Sequence, residues 1–289
     1  MSEIKANLDA KAFILKNADT TDKEGLLQVY SAISELYDLW NTNGILDVEM
    51  SVKISHGQVI YDRYAIPIIG TPIVSMDMVS QLLDIIDAPK QLLDIIRKKH
   101  SQRIRMLVGF DYDSKGKRIY FNDGNQAFGY QFVDSSKYVV KYYTKVEKKD
   151  YNFVLDGLNE IFSSSEVLAL LLNIIPFDKW TLICERKQFT AEREVIGYHI
   201  STVNKPQICD IQEDMMLLVK RINTSIDSNK FKEWIDKNTE SRLYWVGIGI
   251  DKERCPELTF YIRPGLQDWD VRYTPREFTD FFALEIMNL

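Results

Sequence analysis

The chain has 289 residues, of which 45% are hydrophobic, 12% aromatic and 27% charged. That profile has ample material for a core and excludes disordered, collagen-like and low-complexity classes. Its 36 basic and 42 acidic residues leave a formal net charge of −6, which argues against broad electrostatic capture of nucleic acid or an anionic membrane.

Residues 21–42 read as an amphipathic helix. Thr21 and Glu24 make a capping box, Leu26, Val29, Ile33, Leu36 and Trp40 recur at helical spacing, and Gly44 ends the helix. Residues 48–68 hold two β-rich runs around Ser55-His56-Gly57, a hairpin signal. The hexapeptide QLLDII occurs at 81–86 and again at 91–96 with Pro89 between, and predicts two short helices with similar faces. Hairpins are predicted at 103–121, 129–146, 180–202 and 242–264. Residues 151–175 read as helix interrupted near Ser163–Ser165, and 211–239 as helix. Thr274-Pro275-Arg276-Glu277 is a second capping box and opens a C-terminal helix through Phe278, Phe281 and Leu284.

Helical segments and hairpins therefore alternate. Two hairpins also resemble each other, through Val108-Gly109 with Asp113 and Val246-Gly247 with Asp251. Ten antiparallel strands with helices between hairpins predict an α+β fold: one ten-stranded antiparallel β-barrel of five hairpins, ringed by helices. Closure would remove the sheet edges. With no Pro/Gly/Ser-rich linker, residues 1–289 are expected to form a single domain.

Cys184, Cys209 and Cys255 are odd in number and widely spaced, with no CxxC. They predict neither a disulfide framework nor a zinc site, and fit a reducing cytoplasm. No apolar run reaches membrane-spanning length, and MSEIKANLDAK lacks a signal-peptide core, so a soluble cytoplasmic protein is expected.

The strand alternation separates two faces. In the first strand Val48, Met50, Val52 and Ile54 oppose Glu49, Ser51 and Lys53. Across the strands the polar face gathers Arg63, Arg118, Lys141, Lys145 and Arg263, interleaved with Tyr61, Tyr120, Tyr143 and Tyr261. A solvated sheet face would account for charges there. Mostly basic groups alternating with tyrosines, in an acidic protein, also suit a cavity for an anionic ligand with an apolar or cationic portion. Arg and Lys hold phosphate oxygens, and aromatic faces stabilise a nearby cation. There is no P-loop, no GxGxxG after a strand, no GxSxG and no HExxH.

The hairpin Glu49-x-Ser51-x-Lys53-Ile54…Val59-Ile60-x-x-Arg63-Tyr64 resembles one found in the cyanobactin-type peptide prenyltransferases of the ABBA, or PT-barrel, superfamily. Gly109-Phe110-Asp111, Tyr143-Thr144-Lys145-Val146, Val195-Ile196-Gly197-Tyr198-His199 and Trp245-Val246-Gly247 follow in the family's order, over roughly 48–263. Each match is short, and the shared order is the stronger signal.

The resemblance implies a transferase that moves a dimethylallyl-type group (C5, or C10) from an isoprenoid diphosphate co-substrate to a side chain of a ribosomal, linear or cyclic peptide. It implies that Arg63 and Arg118, followed by Lys141 and Arg263, hold the diphosphate. Tyr120, Tyr143 and Tyr261 would shield the allylic cation. Glu49 would be the general base, its alternative being a salt bridge to a neighbouring arginine. Trp245 and His199 are acceptor-site candidates, with wall packing as the alternative. Family members use Mg²⁺; with no DDxxD motif here, the ion would be held mainly through the diphosphate and no protein ligand is assigned. A monomer is expected, with neither nucleic acid nor membrane as partner. An ABBA enzyme acting on a small aromatic acceptor and a non-catalytic ligand-binding barrel are the competing readings.

Overall fold

The computed structural model describes residues 11–17, 23–39, 45–46, 48–55, 58–69, 76–88, 90–99, 105–111, 116–122, 127–132, 138–146, 148–176, 180–188, 193–202, 205–222, 226–250 and 255–263. In chain order these form α1 (11–17), α2 (Lys23–Leu39), β1 (Ile45–Leu46), β2 (Glu49–Ser55), β3 (Gln58–Ile69), α3 (Met76–Ile85), α4 (Lys90–Lys99), β4 (Arg105–Asp111), β5 (Gly116–Asn122), β6 (Ala127–Phe132), β7 (Tyr138–Lys145), α5 (Tyr151–Phe162), α6 (Ser165–Ile174), β8 (Trp180–Gln188), β9 (Arg193–Thr202), α7 (Ile208–Ile222), α8 (Ser228–Lys237), β10 (Arg242–Ile250) and β11 (Pro256–Arg263). Trp40, His56, His100 and the expected C-terminal helix lie outside the described residues.

The strands form one antiparallel sheet, ordered β1-β3-β2-β11-β10-β9-β8-β7-β6-β5-β4, and β3 pairs with β4 as well. The five expected hairpins are present as β2–β3, β4–β5, β6–β7, β8–β9 and β10–β11. The alternation predicts ten strands. The eleventh, β1, is a two-residue addition that pairs with the far end of β3 at Ile69 and Ile68.

One sheet face is apolar and lies under the helices. Met50, Val52, Ile54, Tyr64, Ile119, Tyr130, Ile200, Val246, Ile248, Leu258, Phe260 and Ile262 join α-helical residues such as Leu82, Ile96, Leu158, Leu171, Met215 and Phe231 in one buried core. The duplicated hexapeptide does what its period predicts: Leu82 and Leu92, and Ile86 just past α3 and Ile96 within α4, are buried at equivalent positions of the repeat. The break at Ser163–Ser165 is also where expected. Ser163 takes the left-handed conformation (φ 51°), and the Ser164 hydroxyl accepts from the Val167 amide at 3.4 Å to start α6. The segment read as one helix over 211–239 is instead two. Asp227 ends the interruption by accepting from the amides of Asn229 (3.0 Å) and Lys230 (3.3 Å), which caps α8. Among the described residues no helix is long and apolar enough to cross a membrane.

Candidate active site

The second face of the sheet is polar, yet much of it is as buried as the core. Glu49, Ser51, Arg63, Thr259 and Arg263 are buried, Arg63 with only 5% of its surface exposed. Burial of this kind of charge demands partners. The strand register shows how the face is assembled. Trp245 stands opposite Tyr261, Tyr261 opposite Ser51, and Ser51 opposite Arg63. A second row runs His199, Gly247, Thr259, Lys53. A third runs Tyr120, Gly129, Lys141. A fourth runs Glu49, Ala65, Gly109, Arg118, with only small residues between the two charges.

All ten sequence-predicted site residues thus fall on one face: Glu49, Arg63, Arg118, Tyr120, Lys141, Tyr143, His199, Trp245, Tyr261 and Arg263. Their contacts divide them into three groups.

The aromatic group forms its own cluster. Tyr143 and Trp245 are its buried centre, with Tyr120, Tyr244 and Tyr261 packed against it. Tyr120 and Tyr143 have ring centroids 6.0 Å apart, Tyr143 and His199 5.7 Å, and His199 and Tyr261 5.7 Å. These are ordinary distances for tilted and edge-on ring pairs. Two glycines make the belt fit. A Cβ at Gly129 would lie 2.9 Å from the Tyr120 ring, and one at Gly247 3.2 Å from Tyr261 and 3.3 Å from His199. His199 therefore sits within the aromatic belt.

The basic group is Arg63, Arg118, Lys141 and Lys53. Arg118 hydrogen-bonds Tyr120, and Arg118, Lys141 and Arg63 all act on that phenol electrostatically. Burial is the largest single influence on Tyr120 and pushes its hydroxyl up, but the three cations and the hydrogen bond together outweigh it. The net effect holds Tyr120 below the ordinary tyrosine range. Lys53 is held below the usual lysine range, first by burial and then by repulsion from Arg63 and Lys141. Glu257 opposes that shift. Its Oε1 lies 2.6 Å from Lys53 Nζ and accepts from the Ser55 hydroxyl at 2.8 Å.

The third group surrounds Glu49. Its Oε2 accepts from both Nε and Nη2 of Arg263, each at 3.1 Å, in a pair that is nearly fully buried. The Arg263 guanidinium carbon lies 4.5 Å from the centre of the Tyr244 ring. Lys205 Nζ lies 5.0 Å from the same ring centre and 5.6 Å from that of Trp245.

One placement from simple alternation is wrong. Tyr61 does not share a face with Arg63. The β2–β3 register shifts between Ser51 and Lys53, so an extra residue of β3 turns Tyr61 to the helix side. It packs against the apolar core, with Lys230 of α8 4.8 Å from its ring centre. Burial, with Asp227 and Glu233 nearby, pushes its hydroxyl above the ordinary range.

Other residues join the site without having been assigned to it. Lys53 was visible on the charged face of the first strand. Tyr244 was not, because it is the extra residue of a second bulge, between Leu243 and Trp245, and it packs beside Trp245. Lys205 lies in the β9–α7 connection, buried and left-handed (φ 41°), where periodicity carries no signal.

No family model matches the chain, and no curated protein matches it by sequence. Solved structures do match. The complex of PriB with product diphosphate superposes with a TM-score of 0.56 at 10% identity, over 91% of this chain and 95% of that one. The ternary complex of the prenyltransferase PriB with L-tryptophan and dimethylallyl thiolodiphosphate gives the same TM-score and coverage at 11% identity. The chain has the fold of the ABBA-type prenyltransferases. The NotF prenyltransferase matches more loosely, with a TM-score of 0.48 at 9% identity over 74% of this chain and 80% of that one. The fold that the sequence motifs imply is thus borne out; these matches do not extend to the cyanobactin type.

Proposed function

We propose that this protein is a prenyltransferase that transfers a dimethylallyl-type group from an isoprenoid diphosphate to an amino-acid side chain of a ribosomal peptide. The observation that carries this reading is the juxtaposition, on one buried face, of Arg63, Arg118, Lys141 and Lys53 with the aromatic belt of Tyr120, Tyr143 and Tyr261. A diphosphate leaving from an allylic carbon needs both. The diphosphate-bound PriB structure, on the same fold, supports it.

The strand ladder supports a closed ten-strand barrel as the container. Within the set β2 to β11 each strand pairs with two others of the set, and the β3–β4 ladder returns the sheet to its start. The polar face would then be the interior wall.

In this reading Arg63, Arg118 and Lys141 hold the diphosphate, with Lys53 beside them. Contacts to the leaving oxygens strengthen as the C–O bond breaks and charge builds on them, which lowers the barrier. Tyr120, Tyr143 and Tyr261 present π faces to the allylic cation and exclude water from it. Glu49 accepts the proton that the acceptor loses as its nucleophilic atom bonds the prenyl carbon. Trp245 and His199 line the acceptor side.

The carboxylates Glu49 and Glu257 are each against a cation. No cluster of three His, Cys, Asp or Glu suited to a metal occurs among the described residues. This donor set does not make a cage for Mg²⁺; an ion accompanying the donor would be carried on the diphosphate oxygens.

The peptide acceptor rests on the ordered motifs from Glu49-x-Ser51-x-Lys53 to Trp245-Val246-Gly247. A small aromatic acceptor is the second reading, favoured by the L-tryptophan in the PriB ternary complex. Incubation with dimethylallyl diphosphate and each acceptor class, followed by mass spectrometry, separates the two.

A further inference from the structure

We propose that Arg263 is a positioning residue for Glu49, acting together with Tyr244, and is not a ligand of the donor diphosphate. The inference rests on the prenyltransferase reading above and assigns separate tasks to two groups of cations in that site.

The geometry separates them. The Nε and Nη2 donors of Arg263 both converge on one oxygen of Glu49 at 3.1 Å, and the guanidinium carbon lies 4.5 Å from the centre of the Tyr244 ring. A guanidinium is a rigid fork with fixed donor directions. Two donors committed to Glu49 and a flanking ring therefore leave it one orientation. Arg63, Arg118 and Lys141 differ. They are the cations that act on Tyr120, and two of them act on Lys53. A diphosphate set among the belt tyrosines meets those groups.

Tyr244 owes its place to the backbone. The register shift between Leu243 and Trp245 puts two consecutive aromatics into the same cluster. Lys205 lies against both rings. The order of contact is Lys205, Tyr244, Arg263, Glu49. The far end of that chain is the group that takes the proton in the proposed reaction. Holding a carboxylate in one rotamer is the function such a chain serves.

The test compares binding with transfer. Calorimetry measures the affinity of dimethylallyl thiolodiphosphate, and single-turnover mass spectrometry measures transfer, for wild type, Arg263→Gln, Arg63→Gln, Glu49→Gln and the Glu49→Gln/Arg263→Gln double variant. We expect Arg63→Gln to weaken the analogue by roughly tenfold or more. Arg263→Gln should leave its affinity within about threefold and lower transfer by about 10²-fold. The double variant should be no slower than Glu49→Gln alone, because a residue that acts through Glu49 has nothing left to act on.

An Arg263→Gln loss of affinity equal to that of Arg63→Gln overturns the proposal. So do multiplicative rate losses in the double variant. If Arg263→Gln does not fold, Arg263→Lys and Tyr244→Leu carry the same comparison. Both should retain donor affinity and slow transfer, and weakened donor binding in both counts against the assignment. Failure of the wild type to bind the analogue at all would instead remove the prenyltransferase reading, and this inference with it.

Discussion

Lys53 of β2 and Lys141 of β7 repel each other across the polar face. Four strands separate them whichever way the ladder is followed: β11, β10, β9 and β8 on one side, β3, β4, β5 and β6 on the other. The closed barrel proposed above would bring such a pair within electrostatic range across the interior. It would also gather Arg63 and Arg118 into the group and concentrate cations that an acidic protein would otherwise disperse.

The first prediction follows from Lys53. Burial, Arg63 and Lys141 hold its ammonium below the usual range, against the pull of Glu257. Its proton is therefore lost at a lower pH than an exposed lysine's. A diphosphate favours the protonated form, so donor binding takes up a proton once Lys53 has begun to titrate. Affinity should fall as pH rises through that pKa. Calorimetry with dimethylallyl thiolodiphosphate between about pH 7 and 10 checks this. Lys53→Met should flatten the slope, and an unaltered slope would remove Lys53 from the donor site.

Tyr120 supplies an optical signal. Arg118, Lys141 and Arg63 together overcome the effect of burial and hold its phenol below the ordinary range. Ultraviolet titration should show one tyrosinate forming below about pH 10, absent from Tyr120→Phe. Bound diphosphate offsets the cations and should move that transition upward. A transition that does not respond to diphosphate would place the anion elsewhere.

Glycine substitutions separate fold from site. A Cβ at Gly197 would collide with the Ile248 carbonyl oxygen and lie 2.9 Å from the Gly249 Cα, so the β9–β10 backbones must part. Gly197→Ala should destabilise the protein by about 1–3 kcal/mol in thermal or denaturant unfolding. At Gly129 the obstacle is the ring of Tyr120, with Tyr143 3.3 Å away. Gly129→Ala should leave the fold largely intact, displace the belt and slow transfer. Equal stabilities for Gly197→Ala and wild type would contradict the strand spacing.

Much of the site was legible in the sequence because β-structure repeats every two residues. The run Glu49, Ser51, Lys53 against Met50, Val52, Ile54 reports both faces before any coordinates are known, and the same holds for Arg118, Tyr120, Lys141, Tyr143 and Arg263. The bulges in β3 and β10 were not legible. One extra residue in β3 sends Tyr61 to the helices, and one in β10 brings Tyr244 beside Trp245. A bulge is set by pairing between strands, which a single strand's pattern does not contain. Lys205 lies in a connection without periodicity. The Glu49–Arg263 pair joins residues 214 positions apart, and only the β2–β11 ladder brings them together.

The catalytic assignments predict contrasting defects. Arg63→Ala and Arg118→Ala should lose turnover through weakened donor binding, with little loss of stability. Glu49→Gln should bind the donor normally and transfer about 10²-fold more slowly. Unchanged turnover in both arginine variants would reject their diphosphate role. A Glu49→Gln rate within about threefold of wild type would reject the base, since positioned acid–base groups contribute more than that.

The proposed reaction has the polar, tyrosine-lined face bind an isoprenoid diphosphate and pass its prenyl group to a peptide. Its most direct test is mass spectrometry of the purified protein with dimethylallyl and geranyl diphosphates, Mg²⁺, and linear and cyclic peptides that together present every candidate acceptor residue. The expected result is the gain of one isoprenyl mass on a peptide, located by fragmentation on a single side chain. No modified peptide, together with no binding of either diphosphate, would contradict it and return the face to an ordinary structural role.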